Sequence, residues 1–181
     1  MNFEELIINK TYEEIDLINY FDLLKCDEWK NKRMGILKRD NFRCIRCKTT
    51  YTISAYSGNT KIYLFKDNSP NPENKYVNLQ VHHTLYIYNK LPWEYEDDVL
   101  ETLCNICHKE LHNNEDVKVW DENQYNQVKF GSCDRCSGKG YIALYKNVQN
   151  GICFKCKGYG YNKPLINLNE RLNRKKTPAN N

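Results

Sequence analysis

Apolar residues recur at near-helical spacing at the start of the chain. Leu6, Ile7, Ile15, Ile18, Phe21 and Leu24 lie between acidic residues, which predicts one or two short amphipathic helices with a break near residues 9–11. Trp29, Arg33, Ile36 and Leu37 share one face of a second helical run over residues 27–38, and Asp40-Asn41 is the turn signal that ends it. Residues 61–65 and 76–82 read as strands, and residues 69–74 carry strong turn chemistry between them. Residues 85–98 read as an irregular loop anchored by Pro92, Trp93 and Tyr95. A short strand over 99–103 follows, and a helix starts near Asn105. The order is strand, loop, strand, helix. Further on, Val117, Val119 and Trp120 can dock a connecting stretch, and residues 141–145 with 151–152 read as a hairpin. Apolar residues thin out after Leu172, which predicts a partly ordered basic tail.

Composition limits what these elements can build. At 181 residues and 40% hydrophobic content, with a mean hydropathy of −0.80, the chain suits one medium domain or two small ones that need help from metal. Nine cysteines can supply that help. No segment is apolar enough to span a membrane, and the first residues lack the pattern of a signal peptide. The expected location is therefore a reducing cytoplasm, of a bacterium or of a phage's host, where paired cysteines mean metal rather than disulfides.

Charge is uneven along the chain. Residues 1–128 carry 16 Lys and Arg against 21 Asp and Glu, a net of −5, whereas residues 129–181 carry 11 against 2, a net of +9. A basic C-terminal module facing a polyanion is the expectation.

All four histidines lie between Val81 and His112, in two pairs. His82 and His83 are adjacent, so on a strand they face opposite sides. His108 and His112 are four apart, so on a helix they share one face. One strand histidine facing that helical pair makes a three-imidazole cation site, and the other can stand beside it as a base. Two Cys-x-x-Cys knuckles, Cys44/Cys47 and Cys104/Cys107, bracket this region and together suit a closed four-thiolate zinc site. Cys133/Cys136 and Cys153/Cys156 repeat as Cys-x-x-Cys-x-Gly-x-Gly with a period of twenty, a second zinc signal. Cys26 is the odd cysteine and reads as a small packed hydrophobe.

The run Arg39-Asp40-Asn41-Phe42-Arg43-Cys44-x-x-Cys47, then Val81-His82-His83, then Leu100-x-x-Leu103-Cys104-x-x-Cys107-His108-x-x-x-His112 resembles the HNH endonucleases, whose fold is a ββα-metal motif. The resemblance spans residues 29–115. It implies that His83 is the general base and that His82, His108 and His112 hold one divalent cation (Mg²⁺, Mn²⁺, Ni²⁺ or Zn²⁺). The histidine-rich set is most similar to that of the colicin-type nucleases. The family's central Asn falls at Val99, which cannot orient a base through its side chain. Asn89, Asp97, Asp98 or a backbone carbonyl takes that role, or the nuclease is degenerate. Phosphodiester hydrolysis needs an activated water and neutralised charge on the leaving oxygen, which a neutral imidazole and a cation supply. Arg39, Arg43 and Arg46 are candidates for holding flanking phosphates.

Residues 133–160 resemble half of the cysteine-rich domain of DnaJ-type chaperones, with no J-domain sequence elsewhere. Phe130, Tyr141, Tyr145, Phe154, Tyr159 and Tyr161 are interspersed there with Lys139, Lys155 and Lys157, a composition suited to nucleic acid or to a packed module. The expected chain is a small α+β protein: an N-terminal arm (1–28), a nuclease domain (29–115), a linker (116–130), a zinc module with a β-hairpin (131–161) and a basic tail (162–181). Its expected activity is metal-dependent endonucleolytic cleavage of DNA, with two structural zinc ions and one catalytic cation. The alternative is a degenerate zinc-stabilised protein that binds nucleic acid, or a protein partner through its second zinc module.

Overall fold

The computed structural model describes residues 1–181 except 51–52, 58–59, 67–75, 115–116 and 177–181. The chain is a small mixed α+β protein. In order it forms α1 (Phe3–Ile7), α2 (Tyr12–Asp16), α3 (Tyr20–Leu23), α4 (Asp27–Arg39), β1 (Ile53–Ser57), β2 (Thr60–Lys66), β3 (Tyr76–His83), β4 (Leu85–Ile87), β5 (Leu100–Cys104), α5 (Asn105–Asn114), β6 (Lys118–Trp120), β7 (Gln127–Val128) and α6 (Leu168–Lys176). The turn expected at 69–74 lies outside the described residues. No helix among the described residues is long and apolar enough to cross a membrane.

The elements fall into two compact units, neither contiguous in sequence. The first gathers Met1–Trp29, Tyr86–Glu94 and Val119–Asn181, and the second gathers Lys30–Leu85 and Tyr95–Lys118. In the second unit, β1, β2, β3 and β5 form a sheet in that order. β3 pairs antiparallel with β5, placing His82 opposite Glu101 and His83 opposite Leu100. The strands at 60–66, 76–83 and 100–104 fall on the runs expected at 61–65, 76–82 and 99–103. Leu37, Leu79, Leu103 and the buried cysteines 44, 104 and 107 make the core of this unit. Arg39 and Asp40 tie the end of α4 to β5: Arg39 donates to the Leu100 carbonyl at 2.7 Å, and Asp40 accepts from the Thr102 backbone at 3.0 Å.

The first unit begins with three helices of four or five residues, each too short to be stable alone. Each opens with a reciprocal capping box, at Asn2/Glu5, Thr11/Glu14 and Asn19/Asp22. Their apolar residues Leu6, Ile15, Ile18 and Leu23 pack with Cys26, Leu91, Val119, Tyr159, Leu165, Ile166 and Leu168 in one core. The N-terminal arm, the connection carrying Val119, the second cysteine module and the segment around Leu165 therefore fold together, although the sequence pattern treats them as successive pieces. Residues 168–176 are helical, an ordered part of the tail expected from residue 162 onward. The reason is tertiary: Leu165, Ile166 and Leu168 form no periodic run, and their burial depends on helices about 150 residues earlier. The expected hairpin reduces to one bridge, Tyr141–Ile152, flanked by 3-10 turns at Ala143–Tyr145 and Gln149–Gly151.

Candidate metal centres

Cys44, Cys47, Cys104 and Cys107 converge, with their sulfurs within 4.8 Å of one another. Cys104 ends β5, and Cys107 lies in the first turn of α5, so strand and helix each contribute one thiol. Cys44 and Cys47 sit in the turn after α4, where Lys48 takes a left-handed φ of 63° and Ile45 donates to the Thr102 carbonyl on β5 at 2.9 Å. The Cys47–Cys104 sulfur separation is 3.8 Å. A tetrahedron with zinc–sulfur bonds of ~2.3 Å has edges of about 3.8 Å, so the spacing fits zinc. Burial pushes the Cys104 and Cys107 thiols up, with the Cys107 backbone N–H donating to Cys104 Sγ at 3.3 Å. For Cys47 burial also acts upward, but hydrogen bonds from Thr49 outweigh it and bring the thiol down to about 7. Four thiolates this close repel one another, and a bound dication removes that cost.

The second cluster, Cys133, Cys136, Cys153 and Cys156, is wholly buried. Cys133–Cys153 and Cys136–Cys156 sulfurs are 3.9 and 3.7 Å apart, again the zinc tetrahedron's edge. The two repeats bond reciprocally: Cys133 donates to the Gly160 carbonyl at 2.8 Å and Cys153 to that of Gly140 at 2.9 Å. Gly140 N–H donates to Cys136 Sγ and Gly160 N–H to Cys156 Sγ, at 3.2 and 3.3 Å. The two glycines are required by their left-handed φ and by space. A Cβ on Gly140 would lie 2.3 Å from the Gly158 carbonyl oxygen, and one on Gly160 would lie 2.3 Å from that of Gly138. Helix α3 abuts this module: the Tyr20 N–H donates to the Lys157 carbonyl at 3.1 Å, and the Tyr20 and Tyr159 rings are 5.3 Å apart.

The third centre is the imidazole group. His82 on β3 and His108 and His112 on α5 bring their ring nitrogens together, with His82 Nδ1 3.2 Å from His108 Nε2 and His108 Nε2 3.1 Å from His112 Nε2. Metal–nitrogen bonds of 2.0–2.1 Å give ligand separations of roughly 3 Å, so one cation fits among the three. Burial and the neighbouring charges of His108, His112, His83 and Arg46 bring His82 down to about 3. Burial and His112 bring His108 down to about 4, and burial lowers His112. All three are thus held in the neutral, lone-pair form that metals bind. The group is graded in exposure, from buried His82 to exposed His112.

His83 is on the opposite face of β3 from His82. It is 3% exposed, and its ring lies 4.6 Å from that of Tyr95, edge to face. Asn89 is committed elsewhere, its amide donating to Glu122 at 3.0 Å and accepting from the Asn167 backbone at 2.6 Å. Asp97 pairs with Lys32 at 2.5 Å. The Val99 carbonyl accepts from the Thr84 N–H and hydroxyl, at 3.0 and 3.2 Å.

The candidate basic residues also divide. Arg39 is exposed but spent on bonds within its unit, chelating Asp40 at 2.7 and 2.9 Å. Arg43 and Arg46 are exposed, and the charge of Arg46 is felt at His82. Lys155 pairs with Asp134 at 2.6 Å and Lys157 with Asp16 at 2.8 Å, while Lys139 is exposed. Tyr159 is buried, and Phe130 stacks on Tyr88 with centroids 6.0 Å apart. Tyr141, Tyr145 and Phe154 remain exposed, and Arg135, which the sequence reading passes over, lies 3.8 Å over the Phe154 ring. Glu101 is also unforeseen; its signal is a lone carboxylate in the strand Leu100-Glu101-Thr102-Leu103. Comparison with protein-family models, with curated proteins and with solved structures finds no match.

Proposed function

We propose that the protein is a metal-dependent endonuclease of the HNH type that cleaves DNA. The observation that carries this reading is the convergence of one strand imidazole and two helix imidazoles, all held neutral, around a space that fits one cation. The antiparallel pair β3–β5 leading directly into α5 supports it, since that order matches the resemblance noted in the sequence. A divalent cation at this site supplies Lewis-acid stabilisation of the leaving oxygen. His82, His108 and His112 hold it. His83 accepts the proton of the attacking water, and exposed Arg43 and Arg46 hold flanking phosphates. In the first unit, Lys139 and the exposed Arg135–Phe154 pair meet DNA by charge and stacking. The two four-cysteine clusters bind zinc and hold each unit's scaffold.

Plasmid nicking with Mg²⁺, Mn²⁺, Ni²⁺ or Zn²⁺ tests the activity. His83→Ala is expected to abolish cleavage while leaving cation binding and both zinc ions in place. His108→Ala should abolish cleavage through loss of the cation, which a metal titration separates from the first defect. A second reading, a cation-binding protein without nuclease activity, is favoured by the burial of His83 against Tyr95. Full cleavage by His83→Ala would remove His83 as the base, and no nicking by the wild type with any of the four metals would leave the second reading standing.

A further inference from the structure

Glu101 stands directly across the β3–β5 ladder from His82. Paired residues of an antiparallel ladder share a face, with Cβ atoms about 5 Å apart. Glu101 is therefore on the face of His82, where the imidazoles of α5 converge, and not on the face of His83. Its residue is only partly exposed, and its Oε2 is fully buried with no hydrogen-bond partner among the described residues. A carboxylate oxygen so placed loses its hydration without a hydrogen bond to replace it. Arg39 does not relieve it: its guanidinium chelates Asp40 and donates to the Leu100 carbonyl, feeling Glu101 only through space.

The imidazole group has the complementary deficit. Three neutral histidines bring no negative charge to a dication in a largely buried setting, and three ligands leave part of its coordination open. Glu101 lies outside the three nitrogens that approach within 4.8 Å of one another, so it is set back from the ligand positions.

We propose that Glu101 is the acidic member of the His82–His108–His112 cation site: its carboxylate, held on the imidazole face of β3 and β5, supplies negative charge that stabilises the cation. Glu101 thus acts through the field of its carboxylate and not as a ligand. The assignment rests on the cation-site part of the proposed function and not on cleavage.

The test is titration of the full chain, with both zinc ions retained, against Ni²⁺ or Mn²⁺ by calorimetry. Glu101→Gln keeps the side-chain size and removes the charge, and it should bind the cation about 10–100-fold more weakly, as loss of an outer carboxylate at a histidine site does. Glu101→Asp, which keeps the charge, should recover part of that loss. Wild-type affinity in Glu101→Gln overturns the proposal. If that variant loses its zinc, the ¹³C carboxyl resonance of Glu101 in the wild type replaces it. That resonance should shift when diamagnetic Zn²⁺ fills the imidazole site, and an unmoved resonance overturns the proposal. Wild-type protein that binds the cation but nicks no DNA would defeat the nuclease reading and leave the Glu101 result standing.

Discussion

Cys133, Cys136, Cys153 and Cys156 are all buried and complete a tetrahedron, whereas the imidazole group has three members and ends on exposed His112. The thiolate cluster is closed by its own backbone, through reciprocal bonds between two repeats twenty residues apart. The imidazole group is brought together by the packing of α5 on β3 and β5. A closed four-ligand site has no position for a substrate, and an open three-ligand site on a graded surface has one. The same chain thus carries ligand groups of both kinds, closed and open. The Cys44–Cys107 cluster stands between these extremes: it is thiolate and complete, but it joins knuckles 57 residues apart and has one exposed member, Cys47.

That contrast can be broken most severely at Cys44. Binding free energy at a structural zinc is folding free energy, on the order of 10 kcal/mol in small modules. Cys44→Ser should unfold the second unit, reducing retained zinc to one ion per chain after dialysis against chelator. The first unit's cluster should survive, as read by elemental analysis and by protection of its amides from exchange. Retention of two zinc ions would deny that Cys44 is a ligand.

A smaller effect is expected at Gly140. Ala there must adopt a φ of 67° and place Cβ 2.3 Å from a backbone carbonyl oxygen, so the two repeats must part. The expected loss is about 2–4 kcal/mol, seen as a lowered melting temperature of the first unit alone. Unchanged melting would mean that the reciprocal bonds do not close this cluster.

The mildest perturbation is pH, and it sharpens the difference in ligand type. Burial disfavours the charged imidazoles, with His82 brought down to about 3 and His108 to about 4. In cation-free protein between pH 7.5 and 5.5, their ring resonances should hardly move, where an unperturbed histidine half-protonates near pH ~6.5. The sign follows from linkage. The unfolded chain takes up these protons below about 6.5 and the folded chain does not, so their contribution to stability is complete above that pH and declines as pH falls toward 4 and 3. Resonances that titrate near 6.5 would show that the group is open to water throughout.

Much of the candidate site is legible in the chain because its signals are local. Cys-x-x-Cys is a knuckle wherever it folds, His108 and His112 share a helix face by their spacing alone, and adjacent strand histidines must diverge. The spacing also separates His82 from His83 without saying which one meets α5. That choice, and the pairing that sets Glu101 across from His82, belong to the β3–β5 register, where a one-residue slip would exchange the faces.

Charge shows the same boundary most clearly. The sequence alone fixes a net of −5 over residues 1–128 and +9 over residues 129–181. Folding regroups those charges. The first unit carries 14 Lys and Arg against 13 Asp and Glu, and the second carries 13 against 10, for nets of +1 and +3. The acidic N-terminal helices lie in the unit of the basic C-terminal segment, where Asp16 meets Lys157 and Glu94 meets Arg171. Sequence determined the ligand sets, the strands and helices that carry them, and the caps that start the short helices, since each depends on residues a few positions apart. Tertiary structure alone decided which distant segments share a core, which basic side chains are already paired, and which carboxylate faces the imidazoles, because these depend on contacts that no local spacing encodes.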